Sequence, residues 1–432
     1  MSSGNKVVKN AAWIVVCHVA QALINLIMNM LTARYLGPSN YGLISYAASI
    51  VAFVVPIMQL GLNAVLVQEL VNHPEKEGQT MGTAILLNVA ASLVSSVLVV
   101  LFAATVNYGE RDTIIVCGLY SLNLMFQAVQ MIRYWYQAKL LSKYTSVVSL
   151  IAYTLVAVYR AVLLITQKSI YWFAISQALD YMLIGFGLVV IYRKLGGQKF
   201  SFSWKRGKEL LSVGRYYIVS AMMVTVFAQT DKIMLKLMIH EEATGFYSVA
   251  VTCAGMTSFV FAAIIDSCRP VIVKSKLVDQ KAYEHKMSVL YSIVIFVSLA
   301  QSVVISLLAE PIIQVLYGDA YGAAAQVLGC VVWYTTFSYL GAVRDVWILS
   351  ENKGRYLWII NLTGASANVI LNLCLIPVWG ALGAAVASLI TQFFTNVVLG
   401  FIIKPIRENN RLMLRGCDPR LLWSYGRSMI RK

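Results

Sequence analysis

The chain has 432 residues, of which 59% are hydrophobic and only 12% charged, with a mean hydropathy of +0.71. That composition lies far outside the range of soluble globular proteins, so a soluble enzyme is excluded and the chain needs a membrane as its solvent. The formal charge of +16 is therefore read against membrane topology before any anionic partner is invoked.

A membrane-spanning helix needs about 20 mostly apolar residues. Twelve such runs follow one another, near 11–33, 42–66, 81–106, 113–132, 145–166, 169–191, 211–237, 244–267, 287–308, 323–346, 356–377 and 379–403. With both termini placed in the cytoplasm, the cytoplasmic segments collect 27 Lys and Arg and the external turns only Arg34, Arg111 and Lys168. This is the bias that orients polytopic proteins. It accounts for the net charge without a nucleic-acid partner and leaves some attraction to anionic lipids of the inner leaflet. Met1 to Asn10 lack the layout of a cleaved signal, so the N-terminus is expected to be uncleaved.

In the first span His18, Gln21, Asn25, Asn29 and Thr32 recur at steps of three and four, which puts them on one helical face. The fifth span carries Tyr153 and Arg160, and the sixth carries Asp180 near its middle. The basic segment 193–209 divides the spans six and six, giving expected lobes at 1–192 and 210–405 and a basic cytoplasmic tail at 406–432. In the seventh span Thr225, Gln229, Lys232 and Lys236 again share a face, with Arg215 at the cytoplasmic end and Asp231 beside Lys232. The tenth span holds Trp333 and, toward its cytoplasmic end, Arg344; in the eleventh, Asn361, Asn368 and Asn372 share a face suited to helix packing.

A charge at the bilayer centre costs about 3 kcal/mol or more, so such residues face a bundle interior or a wet cavity. Arg160 and Lys232 are the best-placed candidates for contact with an anionic ligand. Arg34, Lys236, Arg215 and Arg344 are further candidates along the same pathway, the guanidinium fork being suited to phosphate. His18, Gln21, Asn25, Asn29, Thr225, Gln229, Tyr153 and Trp333 are candidates for a polar, sugar-facing lumen. Asp180 either titrates during transport or pairs with Arg160, and Asp231 is the alternative ion-coupling acid. The seven cysteines and four histidines show no ligand spacing, so neither a metal nor another cofactor is expected, only coupling to a proton or sodium gradient. P-loop, H-E-x-x-H and G-x-S-x-G patterns do not occur, and the longest external segment runs only from about Ala309 to Gly322. A secondary transporter is expected, not an enzyme.

The two sets of six spans carry matching segments. Gly42-Leu43-Ile44-Ser45-Tyr46-Ala47 corresponds to Gly245-Phe246-Tyr247-Ser248-Val249-Ala250, and Trp135, Lys143 and Tyr144 correspond at identical spacing to Trp347, Arg355 and Tyr356. Duplicated six-helix lobes share one orientation, with a pseudo-two-fold along the membrane normal and a substrate cavity between them.

Ala33-Arg34-Tyr35-Leu36-Gly37-Pro38 with Tyr41-Gly42, Asp231-Lys232-Ile233-Met234-Leu235, Leu316-Tyr317-Gly318-Asp319 and the Asn368–Asn372–Pro377–Gly380–Gly383 pattern resemble the Wzx-type polysaccharide flippases. These belong to the multidrug/oligosaccharidyl-lipid/polysaccharide exporter superfamily. The resemblance implies an all-α protein of two six-helix lobes around a central cavity, working by alternating access in the bacterial cytoplasmic membrane. It implies as substrate an undecaprenyl-diphosphate-linked oligosaccharide destined for O-antigen, capsule or a related polymer, with other polysaccharide-assembly proteins as partners. The rival readings are a multidrug cation antiporter of the same superfamily, a peptidoglycan-precursor flippase with fourteen helices, and a membrane-embedded glycosyltransferase or polymerase.

Overall fold

The computed structural model describes residues 3–421. The end of the expected basic tail, 422–432, lies outside the described residues. Helices fill the chain: α1 (Ser3–Met58), α2 (Leu66–Asn72), α3 (Glu77–Val106), α4 (Arg111–Val129), α5 (Arg133–Ala138), α6 (Ser142–Ile165), α7 (Ile170–Lys194) and α8 (Trp204–Met238). They continue with α9 (Glu241–Gly255), α10 (Ser258–Lys276), α11 (Gln280–Leu307), α12 (Ala309–Tyr317), α13 (Ala324–Ser350), α14 (Arg355–Phe393), α15 (Leu399–Ile402) and α16 (Arg407–Gly416). Among the described residues, seven segments are long and apolar enough to span a bilayer, and nine if each of two bent helix pairs is one span. Two of the seven are double-length helices broken at Gly37 (φ 73°) and Gly380 (φ 54°). Dividing these at their breaks, and adding α13 with its Arg344-Asp345 pair, recovers the twelve spans read from the sequence. Gly37 sits in a backbone region closed to side chains, and Pro38 after it has no N–H to give to the preceding turn, so the first span must end there.

Helices fold this way because unpaired backbone polar groups are not tolerated in hydrocarbon. Between helices, small polar side chains supply the adhesion that apolar surface cannot give in lipid. Along α11, Ser298, Ser302 and Ser306 at steps of four face α13. Thr336 donates to the Ser298 carbonyl (3.3 Å), Ser302 Oγ lies 2.9 Å from Thr336 Oγ1, and Trp333 Nε1 donates to Ser306 Oγ (3.0 Å).

The chain forms two compact units, residues 1–229 and 230–432, dividing within α8. The segment 193–209 therefore belongs to the first unit, and its contacts explain why. Gly78 and Gly82, one turn apart on α3, open a groove in which a Cβ at either position would come within 2.5 Å of the backbone oxygens of Lys199 and Ser201. The strap is held there by Ser201 N–H to the Gly78 carbonyl (3.3 Å), Ser203 N–H to Thr83 Oγ1 (3.0 Å) and the Arg206–Glu69 ion pair (2.6 Å). In the second unit α16 is a docked helix. Tyr291 donates to Asn409 (2.7 Å), Asn410 donates to the Val397 carbonyl (2.7 Å), and Leu412 and Met413 are buried.

The repeat is visible in local geometry. Trp135 and Trp347 are both buried in the cores of their units. Leu140 (φ 58°) and Asn352 (φ 55°), five residues after each tryptophan, are both left-handed. Leu141 N–H bonds the Tyr136 carbonyl (2.7 Å) as Lys353 N–H bonds that of Ile348 (2.8 Å), and Tyr144 N–H bonds Leu141 as Tyr356 N–H bonds Lys353. The same turn is built twice from sequences that share little else.

Candidate functional site

The second half of α1 and helices α4, α7 and α8 line an open cavity of about 560 Å³ within the first unit. Gln59 reaches it from α1, Tyr120, Asn123 and Gln127 from α4, Gln177 and Tyr181 from α7, and Thr225 and Gln229 from α8. Alanine and valine side chains make up most of the remainder, and the lining carries no charge. Asn123 Oδ1 is buried without a hydrogen-bond partner. Amides and phenols spaced along apolar walls supply both donors and acceptors, the set needed by a ligand rich in hydroxyls.

A second cavity of about 260 Å³ adjoins it, with Gln177 and Tyr181 lining both. His18 and Gln21 of α1 and Tyr153 of α6 line this smaller space, together with Arg133 and Asp180. Gln21 also donates to the Ser146 carbonyl (3.0 Å), fastening α1 to α6. Arg160 is 8% exposed and turned onto α7, where Nε donates to Ser176 Oγ (2.9 Å) and Nη2 to Gln177 Oε1 (3.2 Å) and Asp180 Oδ2 (3.4 Å). Of the two sequence readings of Asp180, the structure shows the pair with Arg160.

The second unit contains a different acid site. Asp231 of α8 is 5% exposed. Its Oδ1 accepts from Asn372 Nδ2 (2.6 Å), and its Oδ2 accepts from Ser388 Oγ (2.5 Å) and from the Tyr247 hydroxyl. Asn372 also donates to Asn368 Oδ1 (3.1 Å), and Asn368 donates to Ser388 (3.3 Å). The carboxylate accepts these hydrogen bonds from neutral amide and hydroxyl groups, and the charge of Lys232, next to it in sequence, also acts on it. Asn372 Oδ1 is buried without a partner. Carboxylate, amide and hydroxyl oxygens converging in one buried place are suited to a proton or a small hard cation.

A family model described as polysaccharide biosynthesis protein matches residues 7–276, more than half of the chain. The chain belongs to that family. An uncharacterised membrane protein of Methanocaldococcus jannaschii, MJ1068, is 24% identical across 95% of this chain and 87% of its own. Among solved structures, the lipid II flippase MurJ in an inward closed conformation gives a TM-score of 0.72 at 15% identity, covering 93% of this chain and 90% of its own. An inward-facing multidrug resistance MATE family transporter of the MOP superfamily gives 0.69 at 13% identity, covering 90% and 94%. These two likenesses show that this polysaccharide-biosynthesis family member is an all-α, multi-pass membrane protein with the fold of those two structures.

Within this family member the sequence-derived cations fare unequally. Arg344, 5% exposed, donates to Asn396 Oδ1 (2.8 Å), the Thr395 carbonyl (3.1 Å) and Asp345 (2.8 Å). It clamps the π-helical turn Phe394–Val398. Lys236 is buried and pairs with Glu241 (3.5 Å). Arg215 is exposed and lies over Tyr216. Arg34 is exposed as well, and neither cavity is lined by Arg34, Arg160 or Arg215. Lys232 is half-buried beside Asp231. Asn25 and Asn29 are half-buried outside both linings, and Trp333 is committed to Ser306.

Sequence reading missed the polar residues that run from α4 through the turn into α5. Asn123, Gln127, Gln130 and Arg133 recur at steps of four and three, the signal used for the first span but not sought in the fourth. Tyr247 also carried a clue, since it replaces the apolar Ile44 of the first repeat.

Proposed function

We propose that the protein moves an undecaprenyl-diphosphate-linked oligosaccharide repeat unit from the inner to the outer leaflet of the cytoplasmic membrane, by alternating access, for surface polysaccharide synthesis. The observation that carries this reading is the uncharged cavity of about 560 Å³ lined by amides and tyrosines. A cationic drug calls for a carboxylate in the lining to balance its charge, whereas an oligosaccharide calls for neutral donors and acceptors over apolar walls. Membership of the polysaccharide biosynthesis family points the same way.

In this reading Lys232 is the strongest cation for the diphosphate, because Arg160 and Arg344 are already turned onto partners within their own units. The coupling ion, a proton or sodium, binds at Asp231. Its entry neutralises a buried charge and favours whichever state of the transporter encloses it.

The test is translocation of a fluorescent undecaprenyl-diphosphate oligosaccharide in proteoliposomes, under imposed proton or sodium gradients and against empty vesicles. Gradient-dependent flipping supports the reading and names the ion. Vesicles that leave the glycolipid in place but move a reporter organic cation would transfer the protein to the drug antiporters.

A further inference from the structure

The smaller cavity of the first unit has a lining unlike a packing gap. Asp180, 3% exposed, sits in its wall with Oδ2 engaged by Arg160 and Oδ1 without a hydrogen-bond partner. A buried oxygen left unpaired costs about 1–3 kcal/mol, and more when it carries charge, so Oδ1 calls for a donor from inside the cavity. Ser149 and Tyr153 of α6, one turn apart, and Tyr181 of α7 face the same space, while Arg133, exposed, supplies guanidinium donors at its edge. At ~30 Å³ per water, 260 Å³ is about nine waters. That is room for one pyranose ring with its substituents, and too little for two.

The chemistry narrows the occupant. Asp180 Oδ1 accepts only, Arg133 donates only, and hydroxyls and amides do both. A ligand complementary to the whole set presents several groups that each donate and accept, together with a C–H face for the two tyrosine rings. Water satisfies the polar atoms and leaves the rings unmatched; a metal ion satisfies Asp180 and is repelled by Arg133 and Arg160. A pyranose meets all of these demands.

We propose that this cavity is a subsite for a single sugar residue of the transported glycan, entered from the larger cavity past Gln177 and Tyr181. The inference rests on the flippase reading above and adds to it a residue-level source of glycan selectivity: Asp180 binds a ring hydroxyl or N–H, Arg133 binds oxygens at the outer edge of the ring, and the volume limits the occupant to one ring.

The test uses the purified full-length chain in detergent and saturation-transfer NMR with a panel of methyl glycosides of hexoses, N-acetylhexosamines and uronic acids. Ser149→Leu fills the cavity, Asp180→Asn removes the acceptor charge while keeping a side chain that can still accept from Arg160, and Arg411→Gln on the exposed face of α16 is the control. At least one glycoside is expected to receive saturation from the wild type and the control. Binding should weaken about tenfold or more in either cavity variant, the size of one lost hydrogen bond to a charged group. If Ser149→Leu does not fold, Asp180→Asn carries the comparison.

Two results overturn the subsite while leaving the flippase reading in place: a wild type that flips lipid-linked glycan but binds no glycoside in the panel, or glycoside binding that both cavity variants retain. The converse result, glycoside binding that is lost in the variants from a protein that flips no lipid-linked glycan, keeps the subsite and removes the flippase reading.

Discussion

Replacing Arg160 separates a structural cation from a substrate-binding one. In Arg160→Leu the three bonds to Ser176, Gln177 and Asp180 vanish together, and Asp180 is left without its counter-ion at 3% exposure. Breaking a buried ion pair from one side costs about 3–5 kcal/mol. Counting three interhelical hydrogen bonds within a membrane at about 0.6–1.7 kcal/mol each gives a similar figure. For a unit of 229 residues, a loss of ~3 kcal/mol corresponds to a melting shift of roughly 6–12 °C, at 2–4 °C per kcal/mol. Arg160→Leu/Asp180→Leu removes the stranded charge and should recover at least half of that loss, because apolar replacement of a whole buried pair is often neutral. Intrinsic-fluorescence melting in detergent, for both single variants and the double, gives the coupling energy directly. An Arg160→Leu protein that melts like the wild type yet transports nothing would refute the argument, and would return Arg160 to the anion pathway where the sequence placed it.

Three further outcomes are expected. Asp231→Asn should fold normally, since its amide oxygen in place of Oδ2 still accepts from Tyr247 and Ser388, and its NH2 in place of Oδ1 can donate to the free Oδ1 of Asn372 once that amide turns over. It should abolish the stimulation of flipping by an ion gradient while leaving slow gradient-independent exchange, measured in the same proteoliposomes. Leu140→Gly should stabilise the protein by about 1 kcal/mol, the cost of a left-handed branched residue; Asn352→Gly at the matching turn should change stability by a few tenths only, and equal shifts in the two melting curves would contradict the shared geometry. Gly82→Val places a side chain within 2.5 Å of the Ser201 carbonyl and should release the strap. Proteolysis near Lys199, slow in the wild type, should become fast.

The spans were legible because a bilayer imposes a length and a hydropathy that no local preference overrides. The repeat was legible because a tryptophan and a following tyrosine mark a turn whose backbone is built the same way twice. What a single sequence could not supply was the partner of each charge. Asp231 reads as a buried acid from α8 alone, but Tyr247, Asn372 and Ser388 come from positions 16 to 157 residues away. Arg344 near a cytoplasmic end reads as a snorkelling cation or a pathway mouth; its real surroundings are set by a π-turn some fifty residues later. Arg133 reads as part of the cytoplasmic basic bias, and only the folding of α4 and α5 beside α6 and α7 puts it at a cavity edge.

The two buried carboxylates differ in their electrostatic surroundings. Asp180 already has a guanidinium at 3.4 Å, so a cation arriving there would be the second positive charge against one negative, in a place where each uncompensated charge is costly to hold. Asp231 takes its hydrogen bonds from neutral groups, with the Lys232 charge beside it, and an ion there would meet the open acceptor direction of Asn372. The residues converging on Asp231 lie on α8, α9 and both sides of the Gly380 break in α14. Binding of the proposed coupling ion there would favour one packing of those helices, which is the differential affinity that any ion-driven change of state requires.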